Sequence, residues 1–164
     1  MNKNNRLKSD VKNLMDISII AALYVVLTIL IEPISFGPTQ FRVSELLMLM
    51  VFFNKKHVFS LTLGCFIANL WSPYLLWDML FGTTATLLAC IFISKSKHLF
   101  VASLWPVIFN GLIVGAEIAI IDQLPYGMMV LSVALGELVV VTIIGCLIFN
   151  LISKNEQLKE IISQ

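Results

Sequence analysis

The sequence predicts an all-α polytopic membrane protein with six transmembrane helices and both termini in the cytoplasm. Three observations carry that reading. Of 164 residues, 59% are hydrophobic and 13% charged, with a mean hydropathy of +0.93; a soluble domain is about 45–50% apolar and about 25% charged. The apolar residues fall in helix-length runs separated by short polar or proline-bearing turns. The basic residues collect in every second turn. This balance excludes a disordered chain, a disulfide scaffold and a water-soluble globule. A membrane helix takes about 20 residues, so six spans leave no room for a soluble catalytic domain.

The first span covers residues 14–31, closed by Glu32-Pro33 and the turn-rich Ser35-Phe36-Gly37-Pro38. The basic stretch ahead of it resembles a secretory leader, but no small-residue cleavage site follows Ile31, so a retained helix is expected. The second span, 41–53, is short and stops at Asn54-Lys55-Lys56; the third, 58–71, stops at Ser72-Pro73. The fourth covers 74–94. The fifth, 99–121, contains Pro106, a kink site that neighbouring helices can hold. The sixth covers 127–152 and leads into an amphipathic tail. The expected organisation is a basic cytoplasmic tail over 1–13, a six-helix membrane domain over 14–152 and a cytoplasmic tail over 153–164. Cys65, Cys90 and Cys146 each sit in an apolar run without a CxxC partner, and read as small core residues.

With six spans, every Lys and Arg except Arg42 falls on one side of the membrane. Positive charge marks the cytoplasmic face, and a five-span arrangement would split the lysines between both faces. His57 and His98 sit in the cytoplasmic turns. The net charge of +1 gives no pull toward nucleic acid.

Charged groups inside hydrocarbon cost at least about 2.5–3.5 kcal/mol on insertion scales and mark function by default. Glu45 lies one turn inside the second span, three residues after Arg42 and on the same helix face. Asn69 is near the outer end of the third span and Asp78 one turn into the fourth. Asn110 is near the midplane of the fifth, Glu117 about one turn below its outer surface, and Glu137 ten residues into the sixth. All fall at the midplane or in the outer half, as the lining of an outward-facing polar cavity would. Trp71, Tyr74 and Trp77 cluster at its mouth, either as an interfacial aromatic belt or as a lid that stacks on a ring.

Four carboxylates, Glu45, Asp78, Glu117 and Glu137, stand against Arg42 alone. With Arg42 and Glu45 paired, the surplus acids call for a cation or for paired N–H donors such as the edge of an amino-substituted heterocycle. For any single residue the alternative is polar glue between helices. No GxxxxGK[ST] loop, HExxH, GxSxG or Cys/His nucleophile arrangement is present. Binding or transport is expected, with no metal, no cofactor and no catalysis by this chain.

Several segments carry a family resemblance. Pro33-Ile34-Ser35-Phe36-Gly37 followed by Gln40-Phe41-Arg42-Val43-Ser44-Glu45 resembles the queuosine-precursor transporter (QueT) family. So do Ile67-Ala68-Asn69-Leu70, Asp78-Met79-Leu80-Phe81-Gly82-Thr83, Phe109-Asn110-Gly111-Leu112 and Gly136-Glu137. The resemblance covers residues 17–152. It departs at Met50-Val51-Phe52-Phe53, where the family pattern has a proline ahead of the aromatic pair.

What the resemblance implies is an S-component of an energy-coupling factor (ECF) transporter. Such a subunit sits in the bacterial plasma membrane with a separate coupling protein, EcfT, and two ATPases. The implied ligand is a 7-deazaguanine such as the 7-aminomethyl form, or queuine. The candidate substrate-binding residues are Gln40, Arg42, Glu45, Asn69, Trp71, Trp77, Asp78, Asn110, Glu117 and Glu137. The family's AxxxA coupling seam has its nearest counterpart in Ser18-x-x-x-Ala22, with Ala21 beside it; packing inside the bundle is the other role for those small residues. A stand-alone secondary carrier, with Glu117 or Glu137 relaying protons, is the alternative reading.

Overall fold

Away from water a backbone must satisfy its own N–H and C=O groups, and an apolar chain of this kind does so as helix. The computed structural model describes residues 3–35 and 41–163, and every regular element among them is helical. Helix α1 (Lys3–Leu30) is followed by a short turn of helix, Glu32–Ser35. Then come α2 (Val43–Phe53), α3 (His57–Trp71), α4 (Leu76–Ile93), α5 (Leu99–Ile121), α6 (Tyr126–Lys154) and α7 (Glu156–Ser163).

Four of these are long and apolar enough to cross a membrane: Arg6–Leu30 within α1, and all of α4, α5 and α6. Helices α2 and α3 are apolar but shorter, within 10–17 residues. Helix α5 coincides with the fifth expected span and continues through Pro106. Helix α1 begins at Lys3, well ahead of residue 14, because the polar residues before Leu14 continue the helix. Helix α4 begins at Leu76 rather than at Tyr74; Leu75 takes φ 26°, a conformation no helix interior uses.

Two stretches depart from α geometry in ways that helical periodicity does not announce. Val43–Leu49, the first part of α2, winds as a 3-10 helix, and Leu138–Gly145, inside α6, winds as a π-helix. Both are unusually long for their type. They pack against each other, and Gly145 gives Leu49 its place: a Cβ there would meet Leu49 Cδ1 at 2.9 Å.

Helix α1 lies against α3, α3 against α4, and α5 between α4 and α6. The α1–α3 contact depends on Gly64, whose missing Cβ would stand 2.9 Å from Tyr24 Cβ and 3.0 Å from the Ala21 carbonyl oxygen. The main apolar core gathers Tyr24, Leu49, Leu61, Cys90, Val141 and Phe149; a second cluster joins Ala85, Val114, Ile118 and Val133. Leu14, Ile19, Leu30, Leu80, Leu112, Leu131 and Leu147 are exposed, while Glu45, Asp78, Glu117 and Glu137 are buried. Soluble proteins almost never bury unpaired acids. Apolar outside and acidic inside is the distribution that hydrocarbon surroundings favour.

Candidate functional site

Several of the polar residues buried in this bundle form one connected network. Glu45 lies in the first turn of the 3-10 segment of α2, 1% exposed. Tyr24 on α1 donates its phenolic hydroxyl to Glu45 Oε1, a short bond. Beside it Thr28 and Ser44 share a hydroxyl–hydroxyl bond of 2.6 Å, a second polar tie between α1 and α2. On the far side, Asn110 Nδ2 of α5 donates to Glu45 Oε2 at 3.4 Å and to Glu137 Oε1 at 2.8 Å. Glu137 ends the α-helical part of α6, where the π-helix begins. A π segment often marks a functional position, because it re-aims the side chains at its edge.

Arg42 ties this group to Asp78. Its Nη1 is 3.8 Å from Glu45 Oε1 and its Nη2 is 3.9 Å from Asp78 Oδ1. The Arg42–Glu45 pairing expected from sequence is therefore a shared arrangement, one guanidinium between two carboxylates. Asp78, in the first turn of α4, also accepts a short bond from the Ser72 hydroxyl. Asn69 Nδ2 donates to the Asp78 carbonyl oxygen at 2.7 Å and approaches Cys65 Sγ at 3.5 Å. Thr86 Oγ1 reaches the same sulfur at 3.3 Å. Gly82 keeps room for this corner: a Cβ there would lie 3.1 Å from Asn69 Nδ2 and 3.7 Å from Asp78 Oδ1.

Glu117 on α5 is 1% exposed, and neither of its carboxyl oxygens has a hydrogen-bond partner. Glu137 Oε2 and Asn69 Oδ1 are likewise buried without one. These are acceptor atoms. An unpaired buried acceptor costs about 1–3 kcal/mol, more if charged, so the set suits a guest that brings donors.

The structure thus brings Arg42, Glu45, Asn69, Asp78, Asn110 and Glu137 into one bonded cluster, with Glu117 under the influence of Asp78 and Arg42. Trp71 and Trp77 are half-exposed and make no hydrogen bond to the cluster among the described contacts; Trp77 stacks on Phe81 at 5.6 Å. Gln40 lies outside the described residues. Of the coupling candidates, Ser18 and Ala22 face outward on α1, whereas Ala21 is buried against Gly64.

Sequence reasoning passed over Tyr24, which lacks formal charge and reads as one more aromatic in an apolar run. Its signal is Thr28, one turn on and on the same helix face. Cys65, read as a plain core residue, is buried but also serves as the sulfur acceptor of Arg42, Asn69 and Thr86.

With described residues that fold only as helix, an apolar exterior and a buried acceptor-rich cluster, the chain has the make-up of a membrane-embedded binding or transport protein. The QueT transporter family model matches residues 14–154, and the chain belongs to that family. A protein called "Queuosine precursor transporter QueT", from Lactococcus lactis subsp. cremoris (strain MG1363), is 44% identical over 96 residues, or 57% of this chain and 54% of that protein. The chain thus spans about half the length of this relative in the matched region. No solved structure matches.

Proposed function

We propose that this chain is the membrane substrate-binding subunit of an ECF-type, ATP-driven importer, and that it takes up a queuosine precursor from outside the cell. The observation that carries the reading is the buried cluster around Asn110, in which Glu137 keeps an acceptor oxygen without a partner. A 7-deazaguanine such as the 7-aminomethyl form, or queuine, offers a donor-rich ring edge and a cationic arm. Both suit acids better than bases.

In this reading six segments cross the bacterial plasma membrane and both termini lie in the cytoplasm. Helix α2 is short because its outer end starts within the cavity wall. The network sits in the outer half and opens outward, with Trp71 and Trp77 at the mouth. Ser18 and Ala22 on α1 offer a small-residue face for EcfT, and ATP hydrolysis belongs to two separate subunits. The alternative, a secondary carrier, differs in its energy source.

Two measurements test this. Mass spectrometry of small molecules released from the purified protein is expected to find a deazaguanine; a different compound class would end the proposal. Uptake into proteoliposomes is expected only with the coupling protein, the ATPases and ATP. Uptake by this chain alone under a pH gradient would favour the carrier.

A further inference from the structure

Tyr24 on α1 is fully buried, and its root is pinned by Gly64 of α3, where a Cβ would stand 2.9 Å from Tyr24 Cβ. From there its hydroxyl reaches across to α2 and donates to Glu45 Oε1. Arg42 Nη1 lies 3.8 Å from the same oxygen, and the Asn110 amide donates to Oε2 at 3.4 Å. Both oxygens of Glu45 thus face protein donors. Glu137 differs: Oε1 takes the Asn110 amide at 2.8 Å, while Oε2 is buried without a partner.

An amide nitrogen carries two protons, and here two acids draw on them. The shorter bond goes to Glu137, and the longer one to Glu45, whose other oxygen Tyr24 already supplies. Removing the Tyr24 hydroxyl leaves a buried acceptor short of a donor, which is costly. Drawing Asn110 toward Glu45 relieves that deficit and loosens the bond that holds Glu137. The second tie between α1 and α2, Thr28 to Ser44 at 2.6 Å, touches neither acid among the described contacts.

We propose that Tyr24 is a positioning residue for ligand recognition. By donating to Glu45 it keeps Asn110 on Glu137, and so fixes the direction in which Glu137 Oε2 meets a donor on the guest. This rests on the reading of the chain as a deazaguanine-binding protein, and adds a residue of α1 that acts through two others without touching the ligand. Networks of this kind transmit the loss of one bond to the next.

The experiment is a double-mutant cycle on the purified full-length chain, read by calorimetric titration with 7-aminomethyl-7-deazaguanine. Tyr24→Phe keeps the ring against Gly64 and removes only the hydroxyl. It is expected to weaken binding about 3- to 10-fold, the scale of one hydrogen bond. In a Glu137→Gln background the same change is expected to alter affinity by about twofold or less, because the group it acts through is already replaced. Thr28→Val is expected to lower the melting temperature and leave affinity unchanged. Should Tyr24→Phe fail to fold, Glu45→Gln breaks the same link at Asn110 and is expected to show the same dependence on Glu137. Equal weakening in both backgrounds overturns the proposal, because a merely structural residue would add its cost to that of Glu137→Gln. So does wild-type affinity in Tyr24→Phe, or a Thr28→Val protein weakened as much as Tyr24→Phe. A wild type that binds no deazaguanine overturns the reading beneath the proposal as well, an outcome distinct from additive losses.

Discussion

Asn110 Nδ2 stands 2.8 Å from Glu137 Oε1 and 3.4 Å from Glu45 Oε2, so one amide group joins acids from α2 and α6. Both of its protons are committed, and Glu137 Oε2 remains a buried acceptor without a partner. The amide fixes the orientation of Glu137 and leaves its second oxygen for a guest. This arrangement makes Glu137 the most informative single position in the floor.

Glu137→Gln is expected to weaken deazaguanine binding by about 1.5–3 kcal/mol, the range for a hydrogen bond to a charged group. The glutamine keeps its oxygen on Asn110 and turns an NH2 group toward donors on the ligand. Calorimetric titration of a variant with unchanged melting temperature checks it. Unaltered affinity would remove Glu137 from the site.

Gly64→Ala is expected to destabilise the protein by about 1–3 kcal/mol, the usual cost of overpacking. The added methyl would meet Tyr24 Cβ at 2.9 Å and Ala21 backbone atoms at 3.0–3.2 Å, and these cannot all yield by side-chain rotation. Separating α1 from α3 also draws Tyr24 away from Glu45, so ligand affinity should fall together with thermal stability. A variant of wild-type melting temperature would contradict the close-packed seam.

Ser18→Leu and Ala22→Leu are expected to abolish ATP-driven uptake while leaving ligand affinity unchanged, because both residues face outward on α1. Ala21→Leu is expected to behave differently. Ala21 is 4% exposed beneath Gly64, so bulk there should lower stability instead. Parallel binding and uptake measurements on the three variants separate the two faces. Loss of binding with Ala22→Leu would mean that this face packs internally.

Replacing the exocyclic amine of the deazaguanine by hydrogen is expected to cost more affinity than removing the aminomethyl arm. In the proposed reading the ring edge meets the deeper acids, where a lost donor leaves a carboxylate unpaired. In the same reading the arm points toward the mouth of the cavity, where a lost contact costs less. Titration with guanine-type and hypoxanthine-type rings decides it, and equal binding of the two edges would refute a paired-carboxylate floor.

The helical class and the membrane-suited surface followed from the sequence, because hydropathy is a property of the chain read residue by residue. The identity of the unusual polar groups followed for the same reason: an acid in an apolar run is conspicuous wherever it ends up. Their pairing did not follow. Tyr24 and Glu45 are 21 residues apart, Asn110 and Glu137 27, and Asn110 and Glu45 65. Only helix packing decides whether such groups meet or part. Nor did periodicity reveal the 3-10 turn that carries Glu45 or the π segment that follows Glu137. Those two windings lie against each other, with Leu49 packed on Gly145. The sequence by itself determined which chemistry is buried; the tertiary structure decided which acids are already satisfied, because hydrogen-bond partners are a matter of distance in space and not of spacing along the chain.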